Sequence, residues 1–79
     1  MTKEDIVEGI RSFASGRMPL EDFRDWLADH VQETDSSPDA EARSLADQGW
    51  IAIAEYDAGM RDEANARWAL AELLRIASA

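Results

Sequence analysis

The chain contains no cysteine, so it can form neither a disulfide nor a thiolate metal site, and it offers no thiol nucleophile. Histidine occurs once, at position 30, which leaves little for His-based metal ligation or acid–base work. Proline occurs twice and glycine four times, so helix breaks are few and their positions are informative. Basic residues are scarce, eight against seventeen acidic ones. No apolar run approaches the ~20 residues that cross a bilayer, and no alternating Val/Ile/Thr-rich run suggests a strand. A fixed-period repeat is also absent.

Seventy-nine residues allow one domain, here expected to span 1–79, with a modest core. The start, Met1-Thr2-Lys3-Glu4-Asp5, has acids where an export signal needs positive charge and an apolar stretch. Together with the lack of cysteine, this leads us to expect a cytoplasmic protein. A hydrophobic share of 46% with three tryptophans marks a folding sequence rather than a disordered one.

The net charge of −9 is unevenly placed. Residues 1–20 are balanced, three acids against three bases. Residues 21–41 carry Glu21, Asp22, Asp25, Asp29, Glu33, Asp35, Asp39 and Glu41 against Arg24 alone. Such a surface repels nucleic acid and anionic membrane and favours a cationic protein partner.

Hydrophobic periodicity predicts an all-α fold, a compact bundle of four short helices at about 3–15, 19–33, 38–58 and 62–77, with a linker at 34–37. Thr2 is placed to cap the first helix, with Glu4 and Asp5 at its positive end, and Gly16 to stop it. Ile6, Ile10, Phe13 and Ala14 form its buried stripe. Pro19 suits the first position of the second helix, whose apolar stripe is Leu20, Phe23, Leu27 and Val31. Thr34-Asp35-Ser36-Ser37-Pro38 is dense in turn formers, with Ser37 as cap and Pro38 opening the third helix. That helix, stopped by Gly59, carries Ala42, Leu45, Gly49, Ala52, Ile53 and Tyr56 on one face, small enough to admit a close neighbour. Asp62 caps the fourth, which buries Ala66, Leu70, Leu73, Leu74 and Ala77.

Candidate chemistry is sparse. His30 with Asp29 or Glu33 lacks a second imidazole, and no serine sits in a strand-to-helix elbow; a boundary imidazole is the simpler reading. Asp35–Asp39 superficially suggests a calcium loop, but Ala40 stands where a glycine is needed and Ala46 where a bidentate glutamate is needed. Glycine-rich phosphate loops are absent, and paired carboxylates need a cleft that four short helices rarely build. We therefore expect no enzyme, no cofactor and no metal.

Two surfaces stand out. Asp22, Asp25, Asp29 and Glu33 follow i, i+3, i+7 and i+11 along one side of the second helix, with Trp26 at their edge. The functional reading is a docking strip for an Arg/Lys-rich protein; a merely solubilising face is the alternative. The second surface is apolar. Trp50, Ile51, Ala64, Trp68 and Ala71 lie off the main stripes of the last two helices, so a homodimer interface can be drawn through them. The simpler reading packs all three tryptophans into the core.

The segment Phe13-Ala14-Ser15-Gly16-Arg17-Met18-Pro19-Leu20-Glu21-Asp22-Phe23-Arg24-Asp25-Trp26-Leu27, with Ile53-Ala54-Glu55-Tyr56-Asp57-Ala58-Gly59 and the closing Ala/Leu-rich helix, resembles small acidic helical bacterial proteins of unassigned function. More distantly it is similar to the colicin D immunity family, acidic helical proteins that bind a basic tRNA-cleaving toxin domain and block its active site. The resemblance implies a helical bundle that sets an acidic face against a cationic protein, with Asp22, Asp25, Asp29 and Glu33 as candidates. Expected function is thus an inhibitor or immunity-type binder of a basic partner such as a nuclease toxin. The alternative is a structural or adapter protein, of the kind phages encode, that self-associates through the last two helices.

Overall fold

A computed structural model describes residues 2–77 and shows an all-α bundle, with no strand among them. Its helices are α1 (Lys3–Ala14), α2 (Leu20–Asp29), α3 (Val31–Asp35), α4 (Ala40–Asp57) and α5 (Glu63–Ala77). Packed against α5 and α4, α1 forms the middle of the bundle, while α2 lies across α1 and α4.

The first helix begins with a reciprocal cap: the Asp5 N–H donates to Thr2 Oγ1 at 3.4 Å, and the Thr2 N–H donates to Asp5 Oδ2 at 3.2 Å. It ends at Gly16, whose φ of 87° is open to a residue without Cβ. The Gly16 N–H donates to the Phe13 carbonyl and the Arg17 N–H to that of Ser12, so the last carbonyls of α1 are satisfied. Gly59, at φ 75°, ends α4 in the same way, with Gly59 bonded to Tyr56 and Met60 to Glu55. Two glycines thus set two chain reversals.

Pro19 differs from expectation by one position. Its extended backbone makes it the N-cap of α2 rather than its first helical residue. The larger departure is that α2 breaks at His30. There the imidazole Nδ1 donates to the Trp26 carbonyl at 2.7 Å, the acceptor that a continuous helix would offer to the His30 N–H. That N–H turns instead to Leu27 at 3.2 Å, and a five-residue α3 leaves in a new direction. Thr34, expected in the linker, is therefore helical and buried. The Val31 side chain, assigned to the apolar stripe, lies outside the described residues.

The α4 start also needs correction. Neither Ser37 nor Pro38 opens it; Asp39 is the cap, its Oδ1 accepting from Glu41 N at 3.0 Å and Ala42 N at 3.3 Å. Asp39 wins because its second oxygen, Oδ2, accepts the Lys3 N–H of α1 at 3.2 Å, so one carboxylate serves two helix N-termini. Ser37 is buried and its hydroxyl accepts the Asp39 N–H. Asp62 caps α5 as expected, accepting from Asn65 N at 2.7 Å.

Phe13 and Phe23 stack at 4.6 Å between α1 and α2, with Ile6, Ile10 and Leu27 fully enclosed around them. Gly49 lets α2 close on α4: a Cβ there would lie 3.2 Å from Leu27 and 3.3 Å from Phe23. Tyr56 and Ala77, expected inside, are exposed, and Leu73 is half-buried. Arg67, unremarked in the sequence, locks α5 onto the end of α1. Its guanidinium covers the Phe13 ring at 4.5 Å, donates to the carbonyls of Phe13 and Met18, and pairs with Glu63 at 2.8 Å.

Candidate functional site

The buried stripe of α2 is Leu20, Phe23 and Leu27, so helical geometry turns Asp22, Asp25 and Asp29 outward, and all three are exposed. Arg24, the one base in the acidic segment, is turned away from them: it pairs with Asp57 at the end of α4. Among the described residues Asp22, Asp25 and Asp29 have no ion-pair or hydrogen-bond partner, so this face keeps its full negative potential.

Glu33 does not simply extend that row. Beyond the His30 break it sits on α3, where it borders an open groove of about 420 Å³ with Trp26, His30 and Met18 on one side and Asp5, Glu8, Gly9 and Ser12 of α1 on the other. Asp5, Glu8 and Ser12 recur at i, i+3 and i+7 and form one edge of α1. The groove contains three carboxylates and no lysine or arginine. Glu8 meets Arg11 only at 3.4 Å, and Glu33 has no partner among the described residues. Sequence reasoning found Trp26 and Glu33 but missed Asp5 and Glu8. Their i, i+3 spacing was visible, whereas their facing across to α3 depends on how the helices pack.

Trp26 is held rather than loose. Its indole stacks on Phe23 at 6.2 Å and 13°, meets the His30 ring at 5.1 Å, and covers Gly9 of α1. Among the described residues no group of three or more His, Asp or Glu side chains is placed to hold a metal ion.

The second surface divides. Trp50 is half-buried and packs against the core. Ile51, at 47% exposure, borders a small crevice between α4 and α5 with Ala69, Leu70 and Leu73. Trp68 is 64% exposed, which overturns its placement in the core, and Ala64 and Ala71 on its side of α5 are exposed with it. Leu70 and Leu74 take the inward face, which leaves Trp68 nearly opposite.

Compared with known proteins, the chain matches no family model, no curated protein and no solved structure. No helix among the described residues is long and apolar enough to cross a membrane.

Proposed function

We propose that the protein is a non-catalytic acidic binding module, an inhibitor or immunity-type protein that docks its α2 face on a basic protein such as a nuclease toxin in the cytoplasm. The observation that carries this reading is the exposed row Asp22, Asp25 and Asp29, left without a counter-ion because Arg24 is engaged by Asp57. Uncompensated potential of one sign accelerates encounter with a cationic surface and fixes its orientation. It also disfavours nucleic acid and anionic membrane as direct partners. A blocking role of the kind held by the colicin D immunity family, which the Phe13–Leu27 segment resembles, would use such a face.

The test is capture of a basic partner from the native host by wild type and by the Asp22→Lys/Asp25→Lys/Asp29→Lys variant, at low and high salt. Three rim charge pairs at about 0.2–1 kcal/mol each predict a roughly tenfold loss of affinity and a flatter salt dependence in the variant. Equal recovery in both would remove the strip from the binding surface. A toxin or nuclease gene beside this one would add independent support.

A second reading is favoured by Trp68. A tryptophan almost two-thirds exposed, with Ile51 and Ile76 also open to solvent, suits self-association through α4 and α5 in a structural or adapter role. Sedimentation equilibrium distinguishes it: a monomer at high concentration excludes the homodimer.

A further inference from the structure

We propose that the groove between α1 and the α2–α3 bend is the seat for one arginine side chain of the basic partner, a proposal that rests on the binding-module reading above. Four features of the groove together specify that occupant. The first is charge: Asp5 and Glu8 stand on one wall and Glu33 on the other, with no basic residue lining the space between. The second is an aromatic wall, the Trp26 indole, which is backed by Phe23 and pinned over Gly9, so it is already in place before anything binds. Next is the shape, an open groove of about 420 Å³ rather than a flat acidic surface. Finally, Met18 and the His30 ring supply apolar and polarisable contact for an alkyl stem.

A guanidinium uses all of these at once. It is a planar cation that stacks on an aromatic face and forks its N–H groups to carboxylates on either side. An ammonium is a strongly hydrated point charge that gains less from the indole and cannot fork. The chain gives an internal instance of the same pairing: Arg67 lies over the Phe13 ring and also pairs with Glu63. The groove offers the same two kinds of partner, an aromatic ring and carboxylates.

The proposal makes Glu33 and Trp26 a recognition point, while Asp22, Asp25 and Asp29 steer the partner toward it. The two roles separate experimentally. Amide and indole NMR signals of the full chain are followed during titration with blocked Gly-Arg-Gly and Gly-Lys-Gly peptides, for wild type and the Glu8→Gln/Glu33→Gln variant. Both glutamates are exposed, and circular dichroism checks that the variant keeps its fold.

The expected result is a saturable shift of the Trp26 indole N–H and His30 ring signals with the arginine peptide. Binding should be several-fold weaker with the lysine peptide and about tenfold weaker in the variant, the loss of two charge-assisted contacts. No saturable shift at Trp26, equal binding of the lysine peptide, or an unchanged shift in the variant would each overturn it. Capture of a partner that responds to Asp22→Lys/Asp25→Lys/Asp29→Lys but not to Glu8→Gln/Glu33→Gln would reject the groove and keep the strip. Arginine-peptide binding alongside partner capture unaffected by the charge reversals would do the opposite.

Discussion

Gly9 of α1 lies directly against the indole of Trp26: a Cβ in place of its hydrogen would sit 2.2 Å from Cη2, 2.5 Å from Cζ3 and 2.6 Å from Cζ2. Three ring atoms are involved, so the whole indole must swing rather than one tip give way. Overpacking of this kind costs about 1–3 kcal/mol, against a helix-propensity gain of up to about 1 kcal/mol from replacing glycine. Gly9→Ala should therefore lower stability by about 1 kcal/mol net and shift Trp26 fluorescence toward that of an exposed indole. Urea denaturation and emission spectra check both; an unchanged midpoint with an unchanged spectrum would show that the contact is looser than described.

Arg67 should matter more than its place on a polar helix edge suggests. Its guanidinium satisfies the Phe13 and Met18 carbonyls where the chain reverses between α1 and α2, and it covers the Phe13 ring. Hydrogen bonds from a charged donor contribute about 1.5–3 kcal/mol. Arg67→Ala is expected to cost about 2–3 kcal/mol, and Arg67→Lys most of that, because one ammonium cannot serve the two carbonyls held by Nη1 and the Glu63 carboxylate held by Nη2 while lying flat on the Phe13 ring. Denaturant midpoints measure the loss, and fast amide exchange at residues 16–18 would localise it.

These two contacts show what was and was not legible beforehand. Helix ends set by local chemistry were readable: Gly16 and Gly59 stop their helices because a left-handed residue is needed there, and Thr2 and Asp62 cap because their side chains reach backbone within three residues. The break at His30 was not, since an i, i+4 imidazole-to-carbonyl bond competes with the helix only in one rotamer. Nor was the choice of Asp39 over Ser37, which is decided by Lys3 arriving from another helix. The outward Asp22, Asp25 and Asp29 followed from periodicity alone. The groove beside Glu33 required two helices to meet, and the exposure of Trp68 could be read from its angle to Leu70, although a core position was the simpler expectation.

The shared carboxylate of Asp39 gives a graded prediction. Asp39→Ala removes the α4 cap and the acceptor for Lys3 N–H together, so the loss should reach about 1–2 kcal/mol. Asp39→Asn keeps one side-chain oxygen for the α4 cap, but its NH2 replaces the oxygen that accepts the Lys3 N–H and the charge near two positive helix ends goes with it, so it should cost less than Asp39→Ala, about 1 kcal/mol. Thermal melts of both variants should rank them Ala below Asn below wild type. The reverse order would show that burying the charge costs more than it contributes.

Glu72 has its carboxyl held below the usual range by the Arg75 guanidinium, which donates to it at 2.8 Å. A folded-state value below the unfolded one means that any stabilisation is present above the unfolded value and fades as pH falls through the folded one. Arg75 is exposed and Glu72 only partly covered, so solvent screens the pair and the effect on stability should be slight, whereas the titration itself should be visible. An NMR pH titration of the Glu72 side chain should give a midpoint below that of free glutamate, moving up in Arg75→Ala. A midpoint unchanged by that substitution would mean the pair does not persist in solution.

Trp68 and Trp26 should respond in opposite ways to substitution. Trp26 is half-buried and carries the Phe23 and Gly9 contacts, so its truncation should be felt by the fold. Trp68 is 64% exposed on the outer side of α5, with Leu70 and Leu74 taking the core positions. Replacing it with serine removes little buried area and should alter stability by no more than about 0.5 kcal/mol. If α5 is a contact between copies, the same substitution should abolish concentration-dependent sedimentation while leaving the denaturation midpoint of dilute protein unchanged. A large loss of stability in dilute Trp68→Ser would instead place this ring inside the fold.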